Sequence, residues 1–140
     1  MARSVENFVM IEGNVTWCEL RATPTGKSVF DFGLAQNDSV SDGKGGFTDR
    51  PNFFTVTAWE RLGENAAESV EKGTRVVVTG RLRYDEWEKD GVKNTKISIV
   101  ADSVSPALRW ATAQVDRNPK GGGGNGVAIS DADLDAILND

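Results

Sequence analysis

Histidine is absent from this 140-residue chain, and cysteine occurs only once, as Cys18. The first absence removes the commonest metal ligand and the usual general base near neutral pH, so most hydrolytic chemistry is disfavoured. The second excludes an intramolecular disulfide and is compatible with a reducing compartment. Apolar runs are short as well, because Glu6, Asn7 and Glu12 interrupt the start and no later run approaches transmembrane length. We therefore expect a soluble cytoplasmic protein with no membrane association and no metal.

Catalytic motifs are also missing. The chain has carboxylates, but their positions support no paired acid–base site, nucleophile elbow, metal-ligand spacing or phosphate-binding glycine motif. The glycine run at 121–124 has no strand before it and no catalytic lysine after it, so we interpret it as a linker. We expect a protein that is not an enzyme and needs no cofactor.

Composition and charge divide the chain into two parts. Hydrophobic residues make up 39% of the sequence, enough for one core but not for two full domains. Residues 1–117 contain 15 Lys and Arg against 17 Asp and Glu, whereas residues 118–140 contain one Lys and four Asp. We predict a globular domain over residues 1–117, followed by a flexible Gly-rich linker and acidic tail over residues 118–140. Because the domain is nearly neutral, nucleic-acid binding would require a locally basic groove.

The most informative segment extends from Phe53 to Trp87 and contains two strand-like stretches separated by a short helix. Side chains two residues apart share one face of a strand. The first stretch has an apolar face (Phe54, Val56 and Ala58) and a polar, aromatic face made by Phe53, Thr55, Thr57 and Trp59. The second stretch places Val76, Val78 and Leu82 on one side and Arg81, Arg83 and Trp87 on the other.

Exposed aromatic rings beside arginines are suited to single-stranded nucleic acid. Stacking of a base on an aromatic ring contributes about 1–3 kcal/mol and tolerates any sequence, while Arg and Lys neutralise phosphates. A lone exposed tryptophan is more often part of a core or of a subunit interface. Because the pattern recurs on two strands with the arginines in phase, we favour nucleic-acid binding.

Hydrophobic patterning predicts five strands and one short helix. The strands cover residues 5–15 with a bulge or bend at Gly13 and Asn14, residues 29–35, a segment ending near Trp59, and residues 74–87 and 94–101. The helix follows Trp59 and is capped by Gly73. A small antiparallel sheet with a helix between its third and fourth strands is the layout of an OB-fold, a five-stranded Greek-key barrel. The predicted fold class is therefore all-β with one short helix.

Three further predictions concern the edges of this barrel. In the last core strand, Thr95, Ile97 and Ile99 should point inward, and Lys96 and Ser98 outward, after a tight hairpin at Asp90 and Gly91. A final edge strand is expected after Pro106. Residues 37–52 are so polar that we predict a long, mobile hairpin loop, in which Lys44, Phe47 and Arg50 either fold over a bound strand or remain solvated.

The acidic tail carries a small apolar side. Ser130 and Asp133 are placed to start a short helix that is too short to be stable alone. One interpretation is a peptide gripped by another protein, and the other is a disordered solubilising segment. For the first, the candidate partner-binding residues are Asp131, Asp133, Leu134, Asp135, Ile137 and Leu138.

Several motifs together resemble the bacterial single-stranded DNA-binding proteins over about residues 3–113. They are MIEGNV, LRATPTGKSVFDFGLA, the whole stretch from Phe53 to Trp87, and SPALRWATA, the last of which resembles the high-GC Gram-positive branch and its phages. The resemblance implies an OB-fold homotetramer that wraps and protects single-stranded DNA in replication, recombination and repair. It also implies a tail that recruits replication or repair proteins.

Site residues carried over from the resemblance agree with the alternation argument. Base-stacking aromatics fall on Phe53, Trp59 and Trp87. The basic residues that match phosphate contacts are Arg3, Lys72, Arg81, Arg83 and Lys96.

The chain also departs from the family pattern. Val40 replaces a stacking tryptophan, Thr55 replaces a basic residue, and Asp85 and Glu86 stand where basic residues are common. The tail lacks the usual Pro-Phe ending. These departures predict weaker binding or a smaller site, and a variant tail partner. The competing hypothesis is an OB-fold accessory module of a replication or recombination complex, whose aromatic face binds protein.

Overall fold

A computed structural model describes residues 5–119 of the chain. Its elements follow in the order β1 (Val9–Ala22), β2 (Ser28–Ser41), β3 (Phe47–Trp59), α1 (Glu60–Ser69), β4 (Arg75–Lys89) and β5 (Val92–Pro106). The strands close into a barrel in the spatial order β1-β2-β3-β5-β4. The β3–β5 pair is parallel, and the other pairs are antiparallel. The predicted five-stranded OB-fold with one helix between its third and fourth strands is confirmed.

The core is formed by the inward positions of the alternating strands, and its largest fully buried side chains include Phe32, Leu34 and Ile99. Burying a side chain of this size contributes about 1.5–3 kcal/mol. Helix α1 covers the core with Ala66, as its apolar spacing predicts. The helix ends earlier than expected, because Val70 in an extended conformation is its C-cap and its N–H donates to the Ala66 carbonyl at 2.8 Å.

Gly73 is therefore not the helix cap. It lies in the turn that leads to β4, at φ 96°, and its N–H donates to the Val15 carbonyl at 2.8 Å. The glycine is required because few other residues adopt a positive φ without strain. Its role is to connect the helix to the barrel wall.

Strand β1 contains a bulge two residues later than predicted. Gly13 and Asn14 pair regularly with β4, and the register against β2 shifts between Val15 and Trp17. Val15 is buried opposite Leu34, so regular alternation would also turn Trp17 inward. The extra residue of the bulge places Trp17 on the outer face instead. Consequently, β1 continues to Ala22 and does not end near residue 15.

Residues 37–52 form a hairpin, as predicted, but most of them are paired strand residues and not a mobile loop. They continue β2 and β3 as a paired ribbon as far as Ser41 opposite Phe47. The tip is closed by the Asp42 carboxylate, which accepts the Lys44 N–H at 2.7 Å and the Gly46 N–H at 3.1 Å. The segment is polar because a ribbon that projects from a barrel buries neither face, not because it is unpaired.

Polar side chains tie the two strands of this ribbon together. The Asn52 amide donates to Gln36 Oε1 at 2.9 Å and to Asp38 Oδ2 at 2.7 Å, and the Gln36 amide donates to Asp38 Oδ1 at 2.8 Å. Hydrogen bonds from Gln36 and Asn52 lower the pKa of the Asp38 carboxyl. The ionised carboxylate therefore helps to hold the ribbon.

The β4–β5 hairpin turns at Asp90 and Gly91, as predicted, with both residues at positive φ. The predicted burial of Leu82, Thr95 and Ile97 is wrong, since all are exposed and Ile97 is 64% accessible. β1 pairs with β4 only as far as Gly80, so the hairpin beyond that residue projects from the barrel. Ile99 is buried as predicted, whereas Ser98, expected outward, is 8% exposed.

The predicted strand after Pro106 is not formed in the part of the chain described here. Residues 107–119 instead run along α1, beginning with Ala107, whose N–H donates to the Arg75 carbonyl at 2.9 Å. Asn118 and Asn65 exchange two side-chain hydrogen bonds of 2.8 and 3.1 Å. No helix within residues 5–119 is both long and apolar enough to cross a membrane.

Candidate nucleic-acid interface

An open groove of about 270 Å³ crosses the outer surface of the barrel. Strand pairing brings its walls together. Thr57 pairs with Asp31 on one side and with Val100 on the other, and Arg83 pairs with Ser98 across β4 and β5. The groove is lined by Trp17, Glu19, Arg21, Asp31, Thr55, Thr57, Trp59, Arg83, Asp85, Lys96, Ser98 and Val100.

Three of the predicted site residues, Trp59, Arg83 and Lys96, meet in this groove. They come from β3, β4 and β5, so the fold brings residues that were predicted on separate strands onto one surface. Thr55, which stands where the family resemblance leads us to expect a basic residue, is also part of the wall. The three predicted residues thus bring an indole together with two cations.

Phe53 and Trp87 extend this surface beyond the groove. Phe53 lies on the same side of β3 as Thr55 and is 70% exposed. Trp87 lies two residues beyond Asp85 on the corresponding side of β4 and is 45% exposed. Large apolar side chains with this exposure are available for stacking and contribute little to the core.

The other predicted basic residues do not line the groove. Arg81 shares the outer side of β4 with Arg83 and is exposed, and Lys72 is exposed in the turn between α1 and β4. Arg3 lies outside the described residues, and so does the whole set of tail residues: Asp131, Asp133, Leu134, Asp135, Ile137 and Leu138.

Sequence reasoning missed Trp17 and Arg21, which line the groove from β1. The strand was expected to end near residue 15, and an unbroken alternation with Val15 would have placed Trp17 in the core. The only available signal was the alternation of Trp17, Glu19 and Arg21 after the bulge. That signal cannot be used without knowing where the bulge lies.

Carboxylates balance most of the positive charge on this surface. Arg21 Nε lies 2.8 Å from Asp31 Oδ2, and the Thr57 hydroxyl donates to the other oxygen of that carboxylate at 2.7 Å. Arg83 Nε lies 3.2 Å from Asp85 Oδ1. The Arg83–Asp85 pair is exposed, and such pairs contribute about 0–1 kcal/mol, so an incoming phosphate can compete for Arg83. The Arg21–Asp31 pair is more sheltered, because the Asp31 side chain is only 15% exposed.

Lys96 differs from the arginines, because the structure gives it no salt-bridge partner within residues 5–119. Glu86, the other acidic residue near Trp87, contacts Lys93 at 2.6 Å and accepts a 3.4 Å hydrogen bond from the Tyr84 hydroxyl. Among the described residues, no group of three or more His, Cys, Asp or Glu is placed to hold a metal. An open groove with stacking rings and cations suits a flexible polyanion.

Comparison with known families decides the identity of this fold. The single-strand binding protein family matches residues 6–107. The chain belongs to this family. The barrel and the groove both lie within the matched residues, so the family assignment covers the candidate interface.

Relatives within the single-strand binding family come from actinobacteria, which confirms the resemblance seen in the sequence. The single-stranded DNA-binding protein of Corynebacterium glutamicum is 37% identical over 131 residues, covering 87% of this chain and 56% of that protein. The single-stranded DNA-binding protein of Paenarthrobacter aurescens is 39% identical, and the match covers 86% of this chain and 75% of that protein. That of Mycobacterium tuberculosis is 36% identical, covering 96% and 85%. This chain therefore spans little more than half of the Corynebacterium protein.

Solved structures of the family show the same architecture. The single-stranded DNA-binding protein of Thermus aquaticus, as a deletion mutant, superposes with a TM-score of 0.66 at 32% identity, over 75% of this chain and 52% of that one. The small single-stranded DNA-binding protein of Streptomyces coelicolor gives 0.59 at 33% identity, over 72% and 94%. The Plasmodium falciparum protein, solved with single-stranded DNA, gives 0.65 at 20% identity over 74% and 92%, and supports the fold alone.

Proposed function

We propose that this protein binds and protects single-stranded DNA without sequence preference and without catalysing a reaction. The observation that carries the proposal is the groove in which Trp59 lies beside Arg83 and Lys96. Names of family members support it, since the Corynebacterium, Paenarthrobacter and Mycobacterium relatives are single-stranded DNA-binding proteins. The role that follows is in DNA replication, recombination and repair in the cytoplasm, at the nucleoid.

Bases stack on three aromatic side chains in this proposal, namely Phe53, Trp59 and Trp87. Phe53 and Trp59 are six residues apart on β3, which corresponds to about 20 Å along the strand at about 3.3 Å per residue. Trp87 continues the surface along the projecting β4–β5 hairpin. A strand of DNA that follows these rings would cross the groove and continue onto the hairpin.

Phosphates are neutralised by basic residues on the same surface. Lys96 is available directly, whereas Arg83 must exchange its contact with Asp85 for a phosphate. Arg81 lies next to Arg83 on the same side of β4 and makes a 3.8 Å contact with Asp102. Lys72, in the turn between α1 and β4, and Arg3, which lies outside the described residues, are also proposed to contact phosphates. Because the arginines have carboxylate partners, we expect the salt dependence of binding to be modest.

The proposed domain division is a binding domain over residues 1–117 and a linker and tail over residues 118–140. We propose that the tail recruits replication or repair proteins through its acidic and apolar residues. A pull-down that compares the full chain with a chain ending at Gly126 tests this role. Retention of the same proteins by both chains would contradict it.

The domain is proposed to assemble as a homotetramer. Apolar side chains support the proposal, because Met10, Leu82, Tyr84 and Ile97 are exposed on β1, β4 and β5. Patches of this kind on a soluble protein usually mark interfaces. Light scattering on the full chain should give four times the mass of the monomer, and a monomer would contradict the proposal.

Binding to a fluorescein-labelled oligo-dT, followed by anisotropy, tests the DNA-binding proposal. Trp59→Ala and Trp87→Ala should each weaken affinity, by about five- to 150-fold if one base stacks on each ring. Trp110→Ala is the matched control, since Trp110 is exposed and contacts Arg75 outside the groove. If Trp59→Ala and Trp87→Ala both bind as tightly as the control, the aromatic surface is not a DNA site and the protein-binding module is favoured.

A further inference from the structure

Trp17 is a second indole in the groove, opposite the wall that carries Trp59. Its position depends on the β1 bulge, which turns it to the outer side of the strand together with Glu19 and Arg21. Trp17 is 43% exposed, so it is not part of the buried core. The sequence alone gives this residue no role.

A glycine on the neighbouring strand lets this indole lie close to the sheet. Gly33 of β2 is the register partner of Trp17 on one side and of Thr55 on the other. A Cβ on Gly33 would collide with Nε1 of the Trp17 indole and would come within 2.5 Å of the indole Cδ1 and of Thr16 Oγ1. The indole therefore crosses β2 where a side chain would stand, in the direction of Thr55.

Three residues in register across β1, β2 and β3 therefore carry a large side chain, no side chain and a small side chain, in that order. Trp17 supplies the ring, Gly33 leaves the space, and Thr55 on β3 is short enough to keep the groove open beyond it. A half-exposed indole held against a sheet is a suitable platform for a base, because the sheet supports one part of the ring and leaves another part accessible.

We propose that Trp17 is a further base-stacking residue of this groove, and that Gly33 is the positioning residue that allows its indole to lie there. The inference rests on the proposed function, because it assigns one more contact to the same DNA. Single-stranded DNA would then meet aromatic rings on both walls of the groove, from β1 and from β3.

The first test measures the affinity for fluorescein-labelled oligo-dT of Trp17→Ala, Trp17→Phe and the control Trp110→Ala. Trp17→Ala should lose about five- to 150-fold in affinity, Trp17→Phe should recover most of that loss, and Trp110→Ala should bind like the wild type. If the wild type binds oligo-dT, and Trp59→Ala weakens the affinity while Trp17→Ala does not, this inference is overturned and the proposed function stays intact. Failure of the wild type to bind at all would overturn the proposed function itself.

The second test observes Trp17 directly. The four tryptophans are residues 17, 59, 87 and 110, so replacing the last three by Phe leaves Trp17 as the only indole while keeping aromatic rings at the other positions. Oligo-dT should quench its emission over the same concentration range in which anisotropy reports binding. Unchanged emission from a variant that still binds oligo-dT would overturn the proposal.

The positioning role of Gly33 is tested by a double-mutant cycle. Gly33→Ala should weaken oligo-dT binding in the wild type and have little further effect in Trp17→Ala, because the displaced indole is already absent. Light scattering on each variant separates stacking from assembly. Loss of affinity by Trp17→Ala together with a change in assembly state would assign Trp17 to a contact between subunits and overturn the proposal.

Discussion

Removing the carboxylate of Asp85 should strengthen DNA binding and make it more sensitive to salt. Asp85 lies 3.2 Å from Arg83 in the groove, and both side chains are well exposed, so Asp85→Asn should cost little stability, within about 0–1 kcal/mol. The change releases one cation for a phosphate. For single strands, each neutralised phosphate changes the slope of log K against log salt by about −0.7.

The magnitude follows from this slope. Between 50 and 200 mM salt, one further phosphate contact corresponds to an additional loss of about 2.6-fold in affinity. Asp85→Asn should therefore bind oligo-dT more tightly than the wild type at low salt, and its advantage should shrink by about that factor over this range. Fluorescence anisotropy at several salt concentrations measures both quantities.

Glu88→Gln is the matched control for net charge. Glu88 is an exposed acidic residue of the same strand, but it lies on the opposite side from Asp85. If binding depends on the release of Arg83, only Asp85→Asn should steepen the salt dependence. Equal effects of the two variants, or an unchanged slope for Asp85→Asn, would refute the assignment of Arg83 as a phosphate contact restrained by its carboxylate.

Two further predictions concern the scaffold. Gly63→Ala should destabilise the protein by about 1–3 kcal/mol, because the new Cβ would collide with the Ala58 carbonyl. Thermal unfolding measures this loss, and the control Glu64→Ala, at an exposed position, should stay within about 0.5 kcal/mol of the wild type. The pKa of Asp38 is lowered by hydrogen bonds from Gln36 and Asn52, so its ionised form stabilises the β2–β3 ribbon above the ordinary carboxyl range near 3.8, and this contribution is lost as pH falls through the lower folded value. Asn52→Ala should reduce that acid sensitivity in hydrogen exchange of the ribbon, and an unchanged pH dependence would show that the network does not hold the ribbon.

Local alternation correctly predicted the two faces of β3. Phe53 and Trp59 face outward while Val56 and Ala58 are buried, because β3 approaches the barrel core on one side only. When one face of a strand is exposed to solvent and the other is buried, polar and apolar residues alternate along it, and this alternation shows which side chains face outward. The sequence was therefore sufficient to find Trp59 without knowledge of its neighbours.

Several of the errors occur where the barrel ends or its register shifts. Leu82 and Ile97 continue an apolar pattern past the point where β1 stops covering β4, and no local signal marks that point. Trp17 was missed because one extra residue reverses the faces of β1. The ribbon from residue 37 to 52 pairs without burying either face, so its pairing leaves no hydrophobic pattern to detect.

A titration of the intrinsic tryptophan fluorescence of the full chain with oligo-dT, and in parallel with duplex DNA, shows whether single strands bind in the groove. Because two indoles line the groove and a third lies on the adjoining hairpin, oligo-dT should quench the emission strongly, and the quenching should weaken as salt rises. Duplex DNA, whose bases are already stacked, should have little effect. No response to oligo-dT, or an equal response to both DNAs, would contradict binding of single strands through the groove.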